Sequence, residues 1–257
     1  MPDSRHTELW GLVVARAARH GRPASAGDVC EVAVTAARVN GGWVTVASGP
    51  GPDFLMHVTD PVSEWLAELQ LTLGEGPCHD VQTSEGLSLG SDLEDAQSGR
   101  RWPVFAPAAL QRGARAVFAF PLTIGSIRVG VMGLYRDSAG PLPAAQLRDC
   151  LLLADTATVL LIEAGSHGVE EARGSDGDGD GDGAGLPGQS ANLALHRAEI
   201  DQATGMLTVQ LGVTATAAFA RLRAYAYSQD RRLADVARDI VTRRLRLQPD
   251  SSADGDH

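Results

Sequence analysis

The sequence lacks paired cysteines, long apolar runs and lysine. Its three cysteines, Cys30, Cys78 and Cys150, are odd in number and widely spaced, which fits neither a disulfide framework nor a metal site. No apolar stretch reaches the length of about 18 residues that a membrane helix needs, and no charged-then-apolar leader opens the chain, so we expect a cytoplasmic protein. All 22 basic residues are arginine. Because the chain uses arginine at every basic position, the presence of arginine at one of them is weak support for a selected function there.

Catalytic patterns are missing as well. The chain contains no Ser-His-Asp constellation, no paired carboxylates and no phosphate-binding loop, so we expect no enzymatic activity, no catalytic residues and no cofactor. Alternating aspartates from Asp176 to Asp182 resemble a calcium loop, but Gly183 and Pro187 stand where that loop needs an apolar residue and a bidentate glutamate. This pattern excludes a calcium site, and we interpret residues 166–191 as a disordered, Asp/Gly-rich acidic linker.

The stretch 194–247 has the periodicity of three short amphipathic helices. Apolar residues recur three and four positions apart in each helix, and three such stripes can close a small core. Nine arginines against five acidic residues give this stretch a charge of +4, within a chain of net charge −10. A local reversal of sign indicates an anionic partner, and nucleic acid is the first candidate.

The order of residues in this stretch resembles the ANTAR domain, a three-helix RNA-binding module of bacterial transcription antiterminators. The resemblance rests on the segments Ile200–Leu207, Ala218–Phe219, Leu222–Arg223, Leu233–Ala237 and Ile240–Val241. It implies a regulator that binds hairpin loops of nascent RNA and prevents termination. The positions that the resemblance assigns to RNA binding are Thr204, Arg223, Ser228, Asp230, Arg231 and Arg232. At Thr204 the family often has a lysine, so a phosphate contact is lost there or comes from a neighbouring arginine.

Within this set, the arginines are expected to differ in importance. We expect Arg223 and Arg231 to carry RNA affinity, because both match the family pattern and lie near the loop between the second and third helices. Arg243 and Arg246 are expected to carry little, because they flank an acidic tail at 249–257 that competes for them.

Two other interpretations of the basic stretch deserve comparison. A DNA-binding helix-turn-helix is excluded on length, because no recognition helix follows residue 247. The remaining alternative is a non-catalytic protein-interaction module whose basic three-helix bundle docks an acidic protein partner.

The first 165 residues combine helical and strand-like periods. Helices at 7–20 and 26–37, together with several antiparallel-looking strands, predict an α+β domain with helices against one face of the sheet. The segments Gly76-Pro77-Cys78, Asp92-Leu93, Arg101-Trp102-Pro103, Phe120-Pro121-Leu122 and Leu134-Tyr135 together resemble a GAF domain. More narrowly, they resemble the GAF half of actinobacterial GAF–ANTAR regulators, over residues 7–165.

The GAF resemblance implies a pocket for a small-molecule ligand of unknown identity. The candidate lining residues are Trp43, Cys78, His79, Asp92, Trp102 and Phe118. For the two tryptophans the alternative is a structural place in the core, and Cys78 is also a candidate redox thiol. Because Cys78 and His79 are adjacent, their side chains diverge, which argues against a shared metal or haem site.

A long helix is predicted at 144–165. Its apolar positions form a heptad seam, which predicts a homodimer through this helix; the seam consists of Leu147, Leu151, Ala154, Thr158 and Leu161. The alternative is a helix packed on its own sheet, and both can hold in a dimer. The predicted plan is a sensor domain at 1–165, a linker at 166–191, an ANTAR domain at 192–248 and an acidic tail at 249–257.

Overall fold

The computed structural model describes residues 2–47, 53–84, 86–174, 189–229 and 231–248. The chain divides into two compact units, Met1–Ala191 and Asn192–His257. They are called the N-terminal unit and the C-terminal unit below.

The N-terminal unit consists of helices around one sheet. In chain order its elements are α1 (Pro2–Arg19), α2 (Ala26–Ala37), β1 (Gly41–Val46), β2 (Phe54–Val58), α3 (Pro61–Leu73), α4 (Pro77–Thr83), β3 (Ser88–Gly90), α5 (Ala96–Arg101), α6 (Phe105–Gln111), β4 (Ala116–Ile124), β5 (Ile127–Arg136) and α7 (Ala144–Gly174). The five described strands follow the order β2-β1-β5-β4-β3. Each neighbouring pair is antiparallel, which confirms the predicted antiparallel sheet.

Both faces of this sheet are apolar. On β4, Phe118 and Phe120 pack with α1, α2 and α7, whereas Val117 and Ala119 pack with α3, α4 and α6. Successive residues of a strand point to opposite faces, so a strand that is apolar at every position needs cover on both sides. The expectation of helices against one face is therefore wrong, because helices cover both faces.

A carboxylate fixes the start of α3 and ties it to the sheet. Asp60 accepts hydrogen bonds from the backbone amides of Val62 and Ser63 at 2.8 and 3.0 Å. It also accepts one from the Tyr135 hydroxyl of β5 at 3.0 Å and one from the Thr59 hydroxyl at 2.8 Å. Burial raises the pKa of Asp60, but these hydrogen bonds outweigh burial and hold the pKa below its usual range.

A second carboxylate, the buried Asp28, stabilises the start of α2. Its side chain is 1% exposed and forms a capping box with Ser25. Arg22 donates to the Asp28 carboxylate at 2.6 and 2.9 Å. Burial raises the pKa of Asp28, but hydrogen bonds from Arg22 and Ser25 lower it overall. The charge is buried because it is paired and fully hydrogen-bonded.

The predicted seam of α7 faces its own domain. Ala154 and Thr158 are buried, and the Thr158 hydroxyl donates to the Ala154 carbonyl at 2.9 Å. Leu147 and Leu161 pack against the core between α2, α7 and the sheet. Leu151 is the exposed member of the five. The predicted seam is therefore wrong as an intermolecular interface, because the same spacing places these side chains on the sheet.

The helix itself is longer than predicted. It begins at Ala144, as expected, but ends at Gly174 rather than at 165. The added segment includes Glu170, Glu171, Ala172 and Arg173, which are strong helix formers. The linker predicted at 166–191 is thus helical at its start, and its centre, 175–188, lies outside the described residues.

The C-terminal unit contains the three predicted helices, which are confirmed. They are α8 (Gln189–Leu211), α9 (Ala215–Ser228) and α10 (Leu233–Val241). Gly212, at φ +64°, ends α8, and the Thr214 hydroxyl accepts from the Ala217 amide to cap α9. Buried core side chains come from all three helices and include Ile200, Ala203, Leu207, Ala218, Leu222, Ala226, Leu233, Val236, Ala237 and Ile240.

Within the described part of the chain, no single helix combines the length and apolarity of a membrane span. The segments Leu195–Leu211 and Ala215–Ser228 meet those criteria only as a pair, across a bend of 107°.

Candidate nucleic-acid interface

The predicted RNA-binding positions lie at two places in the C-terminal unit. Thr204 is on α8, whereas Arg223, Ser228, Arg231 and Arg232 are on α9 and in the loop before α10. Asp230 lies outside the described residues. The set therefore centres on the end of α9, with Thr204 on a separate helix.

Thr204 does not replace the chemistry of a lysine. Its hydroxyl donates to the Ile200 carbonyl one turn earlier at 2.7 Å, so its proton is used inside α8. A lysine at this place would carry a cation on a long stem toward solvent.

Arg223 is half-buried rather than fully presented to solvent. Its guanidinium carbon lies 5.7 Å from the centre of the Phe219 ring, one turn earlier on α9. Burial lowers the pKa of the Arg223 guanidinium, which nevertheless stays charged at neutral pH. The cation is thus held against an aromatic face, with less freedom than a surface arginine.

Arg231 is exposed but already paired. Its guanidinium donates to the Asp239 carboxylate of α10 at 2.7 Å. This hydrogen bond raises the pKa of Arg231. Arg238, the next cation along the same helix, donates to both carboxylate oxygens of Glu199 on α8, at 2.8 and 3.1 Å. These pairs join α10 to the loop before it and to α8, and they reduce the charge that the two arginines offer to an anion.

Three arginines after α10 are different. Arg243, Arg244 and Arg246 are exposed, and none of them forms an ion pair with another described residue. Arg243 adopts a left-handed backbone, φ +60°, which ends α10 and turns the chain. The turn is held by backbone hydrogen bonds from Arg244 and Leu245 to the Asp239 carbonyl at 2.8 and 3.0 Å.

Beyond this turn the chain forms one wall of an open groove, called the α9 groove here. Its volume is about 480 Å³. Leu211, at the end of α8, forms the first wall. The second wall consists of Arg221, Tyr225 and Ser228 of α9, and the third consists of Arg246 and Leu247 from the segment after the turn. Gln210 donates through its side-chain amide to the Leu247 carbonyl, which holds that segment in place.

This groove was not predicted from the sequence. Arg221, Tyr225 and Ser228 are spaced by four and three residues, so they share one face of α9. That spacing was a usable signal. The third wall gave only a weak signal: Leu245 and Leu247 alternate with Arg246 and Gln248, but four residues do not fix a strand, and their position depends on the turn at Arg243.

In the N-terminal unit, the candidate pocket residues do not form one cluster. Trp43, Cys78 and Trp102 are buried together on the face covered by α3, α4 and α6, and His79 is half-buried beside them on α4. Phe118 lies on the opposite face. Its assignment to the same pocket is wrong, because the side chains of Phe118 and Trp43 lie on opposite faces of the sheet.

Asp92 and Trp102 have structural partners. Arg115 donates to Asp92 at 2.8 Å, which joins the loop after β3 to the start of β4. The Trp102 indole donates to Asp80 at 3.0 Å, and Arg101 lies 2.8 Å from the same carboxylate. The alternative of a core place for Trp102 therefore fits its contacts.

Cys78 lacks the environment of a redox thiol. It is 4% exposed, and burial raises the pKa of its thiol to about 12. A reactive cysteine needs a lowered pKa and access to solvent. Among the described residues, no group of three or more His, Cys, Asp or Glu side chains is placed to hold a metal ion.

Comparisons with known proteins assign both units. Residues 193–241 match the family model of the ANTAR domain. A search of curated proteins found no significant match. The GAF domain of a phosphoenolpyruvate-protein phosphotransferase from Coxiella burnetii is 14% identical, with a TM-score of 0.50, and the match covers 64% of this chain and 98% of that one. The corresponding Acinetobacter GAF domain is 12% identical, with a TM-score of 0.47, over 66% of this chain and 98% of that one.

These findings confirm the two resemblances at the level of domains. The N-terminal unit has a GAF-like fold, and the C-terminal unit carries an ANTAR domain. ANTAR domains are RNA-binding modules of transcription antitermination, and GAF domains sense signals. The narrower assignment to actinobacterial regulators stays a prediction.

Proposed function

We propose that this chain, in which an ANTAR domain follows a GAF-like domain, is a non-catalytic, signal-responsive regulator of transcription. In the cytoplasm it binds hairpin loops of nascent RNA and prevents termination. The observation that carries the proposal is the ANTAR match at 193–241, which falls inside the compact three-helix unit.

The charge distribution supports an RNA partner. The stretch 194–247 has a charge of +4 in a chain of −10, so an anionic partner is attracted to this end. Arg243, Arg244 and Arg246, which have no ion-pair partner among the described residues, lie along a single turn and the segment after it. Phosphates of an RNA backbone bind such cations and release counterions, which makes the affinity dependent on salt.

The GAF-like unit supplies the signal in this proposal. Its small-molecule site is proposed on the face covered by α3, α4 and α6, where His79 borders the buried cluster of Trp43, Cys78 and Trp102. Ligand pockets are mostly apolar with a few polar groups, which is the composition of this face.

We also propose that the protein is a homodimer through a surface of α1 and α7. Arg5 of α1 donates to Asp149 of α7 at 2.9 Å, so the two helices lie side by side. Together they expose five large apolar side chains: Trp10, Leu12, Val14, Leu151 and Val159. Exposed apolar patches on neighbouring helices are typical of association sites. We propose this face as the dimer interface in place of the heptad seam that the sequence predicted.

Binding to a labelled RNA hairpin, measured by fluorescence anisotropy with the full chain, tests the proposed function. The hairpin should bind more tightly than a duplex of the same stem without the loop, and affinity should fall as salt rises. Equal affinity for the loop-free duplex would contradict loop recognition. Displacement of the RNA by an unrelated acidic protein would favour the alternative of a protein-interaction module.

A further inference from the structure

We infer that the α9 groove takes one unpaired base of the bound RNA, with the ring of Tyr225 as its stacking partner and Arg246 holding the adjacent phosphate. This inference rests on the proposed RNA-binding function and names a subsite for it. The third wall, residues 245–248, lies beyond the matched domain segment 193–241. Tyr225 lies inside the matched segment, so the subsite combines that segment with residues that follow it.

The chemistry of the groove suits a nucleotide. Tyr225 provides an aromatic ring, and Arg221 and Arg246 provide two cations, while the described lining contains no acidic side chain. Unpaired RNA bases are bound by stacking on aromatic rings and guanidinium planes, with hydrogen bonds to their edges. Gln248 borders the same groove and can donate and accept such bonds, whereas the Ser228 hydroxyl donates to the Tyr225 carbonyl at 2.9 Å and can only accept one.

The shape of the groove supports a single base rather than a helix. Its volume of about 480 Å³ is within the range of small-molecule sites and is far below that of a duplex. The groove is open to solvent, so a splayed base can enter without a rearrangement of the helices. Apolar side chains, Leu211, Leu245 and Leu247, complete the lining and exclude water from the flat faces of a base.

The position of the groove links it to the predicted RNA surface. Ser228 belongs to both, because it lines the groove and precedes the loop that contains Arg231 and Arg232. A loop nucleotide in the groove therefore leaves neighbouring phosphates within reach of this loop. Arg246, which was expected to contribute little, becomes more important than Arg231, whose charge is shared with Asp239.

Acidic residues of a protein partner could also form ion pairs with the two guanidinium groups of the groove. A carboxylate needs the cations but not an aromatic platform, so the contribution of Tyr225 separates the two occupants. Its loss should weaken RNA binding and leave attraction to an acidic protein unchanged.

The test uses full-chain variants and the labelled hairpin described above. Tyr225→Ala should weaken binding by about five-fold or more, since stacking of one base on an aromatic ring is lost. Tyr225→Phe keeps the ring and should restore most of the affinity. The matched control is Tyr227→Ala, which removes a tyrosine of the same helix that is 56% exposed and does not line the groove.

A second pair of variants tests the phosphate contact. Arg246→Ala should weaken binding several-fold and lower the slope of log affinity against log salt by about 0.7. The control Arg244→Ala removes an exposed arginine that does not line the groove, and its loss in affinity should be smaller. Circular dichroism of each variant reports whether the helices remain intact.

The outcomes separate this inference from the proposed function. If the wild-type chain binds no hairpin, both are wrong. If it binds, but Tyr225→Ala and Arg246→Ala equal their controls, the groove inference is overturned and the proposed function stands. Should Tyr225→Ala unfold, crosslinking decides instead. A thiouridine in the loop should then crosslink to the wild-type peptide that contains Tyr225, and a crosslink confined to other peptides would overturn the inference.

Discussion

The two units of this protein use the same cation for different purposes. In the N-terminal unit, Arg22 and Arg128 are paired with Asp28 and Asp53, whose side chains are almost fully buried. At the end of the C-terminal unit, Arg243, Arg244 and Arg246 are exposed and have no acidic partner among the described residues. Because the sequence contains no lysine, residue type cannot distinguish structural from functional cations. Pairing and burial make that distinction.

Among surface substitutions in the N-terminal unit, the largest expected effect is on the association of two chains. Leu151→Asp with Val159→Asp places charges on the exposed face of α1 and α7 and should convert a dimer to a monomer, as measured by light scattering. The far-UV circular dichroism spectrum should not change, because the sheet core is untouched.

The matched pair for this experiment lies on the inner face of the same helix. Leu147→Asp with Leu161→Asp buries charges against the core, so the fold itself should be lost. A dimer that persists in the outer-face variant would place the interface on another surface.

Loss of a structural carboxylate should have the next largest effect. Asp60→Ala removes the cap of α3 and leaves the Tyr135, Thr59 and Ser63 hydroxyls without their acceptor. We expect a loss of about 2–4 kcal/mol in the free energy of unfolding, from the cap and the unsatisfied groups together. Urea titration followed by tryptophan fluorescence measures it, because all four tryptophans precede residue 103.

The control for Asp60 is another capping aspartate with a smaller network. Asp95 accepts one capping hydrogen bond, from the Ser98 amide at 2.6 Å. Asp95→Ala should cost about 1 kcal/mol. Similar losses for the two variants would mean that the Tyr135 and Thr59 contacts add nothing to the cap.

Acid should weaken the N-terminal unit through the same carboxylates. The pKa values of Asp28 and Asp60 are lowered in the folded state, so their stabilisation is present above the unfolded pKa, about 3.9, and is lost as pH falls through the folded values. The urea concentration at the unfolding midpoint should therefore decrease as the pH is lowered from about 5 to about 3. Asp28→Asn should flatten this dependence, and an unchanged slope would exclude Asp28 as a source.

The smallest expected effect concerns the missing lysine of the C-terminal unit. Thr204→Lys should raise hairpin affinity by a few fold and increase the salt slope by about 0.7, because one phosphate contact is added. Thr208→Lys, one turn further along α8, adds the same charge at a neighbouring place and is the control. Equal gains would show that position 204 has no special relation to the RNA and that added charge alone matters.

Local patterns predicted the elements better than their environments. The helix at 26–37 has the predicted bounds, since its apolar period is readable in the chain. The side of α7 that faces the sheet was not readable, because a heptad seam and a buried stripe have the same spacing. Phe118 failed for a related reason: its face depends on strand register, which the chain does not display.

The candidate RNA surface shows the same division. The three helices and the matching positions on α9 follow from periodicity and from the order of residues. The pairing of Arg231 with Asp239 and the groove beside Tyr225 depend on how α10 and the segment after it fold back. Such contacts join residues that are distant in sequence, and no local pattern encodes them.

The three buried cysteines have a practical consequence for following the signal between the units. Cys30 and Cys150 are fully buried and Cys78 nearly so, and burial raises the pKa of all three thiols. Thiol-reactive dyes attack exposed thiolates, so the native cysteines should remain unlabelled while the protein is folded. A single cysteine introduced at Arg244 would then take one fluorophore, and the tryptophans, all in the other unit, would serve as natural energy donors. The distance between the two units thus becomes measurable in a chain that keeps all of its own cysteines.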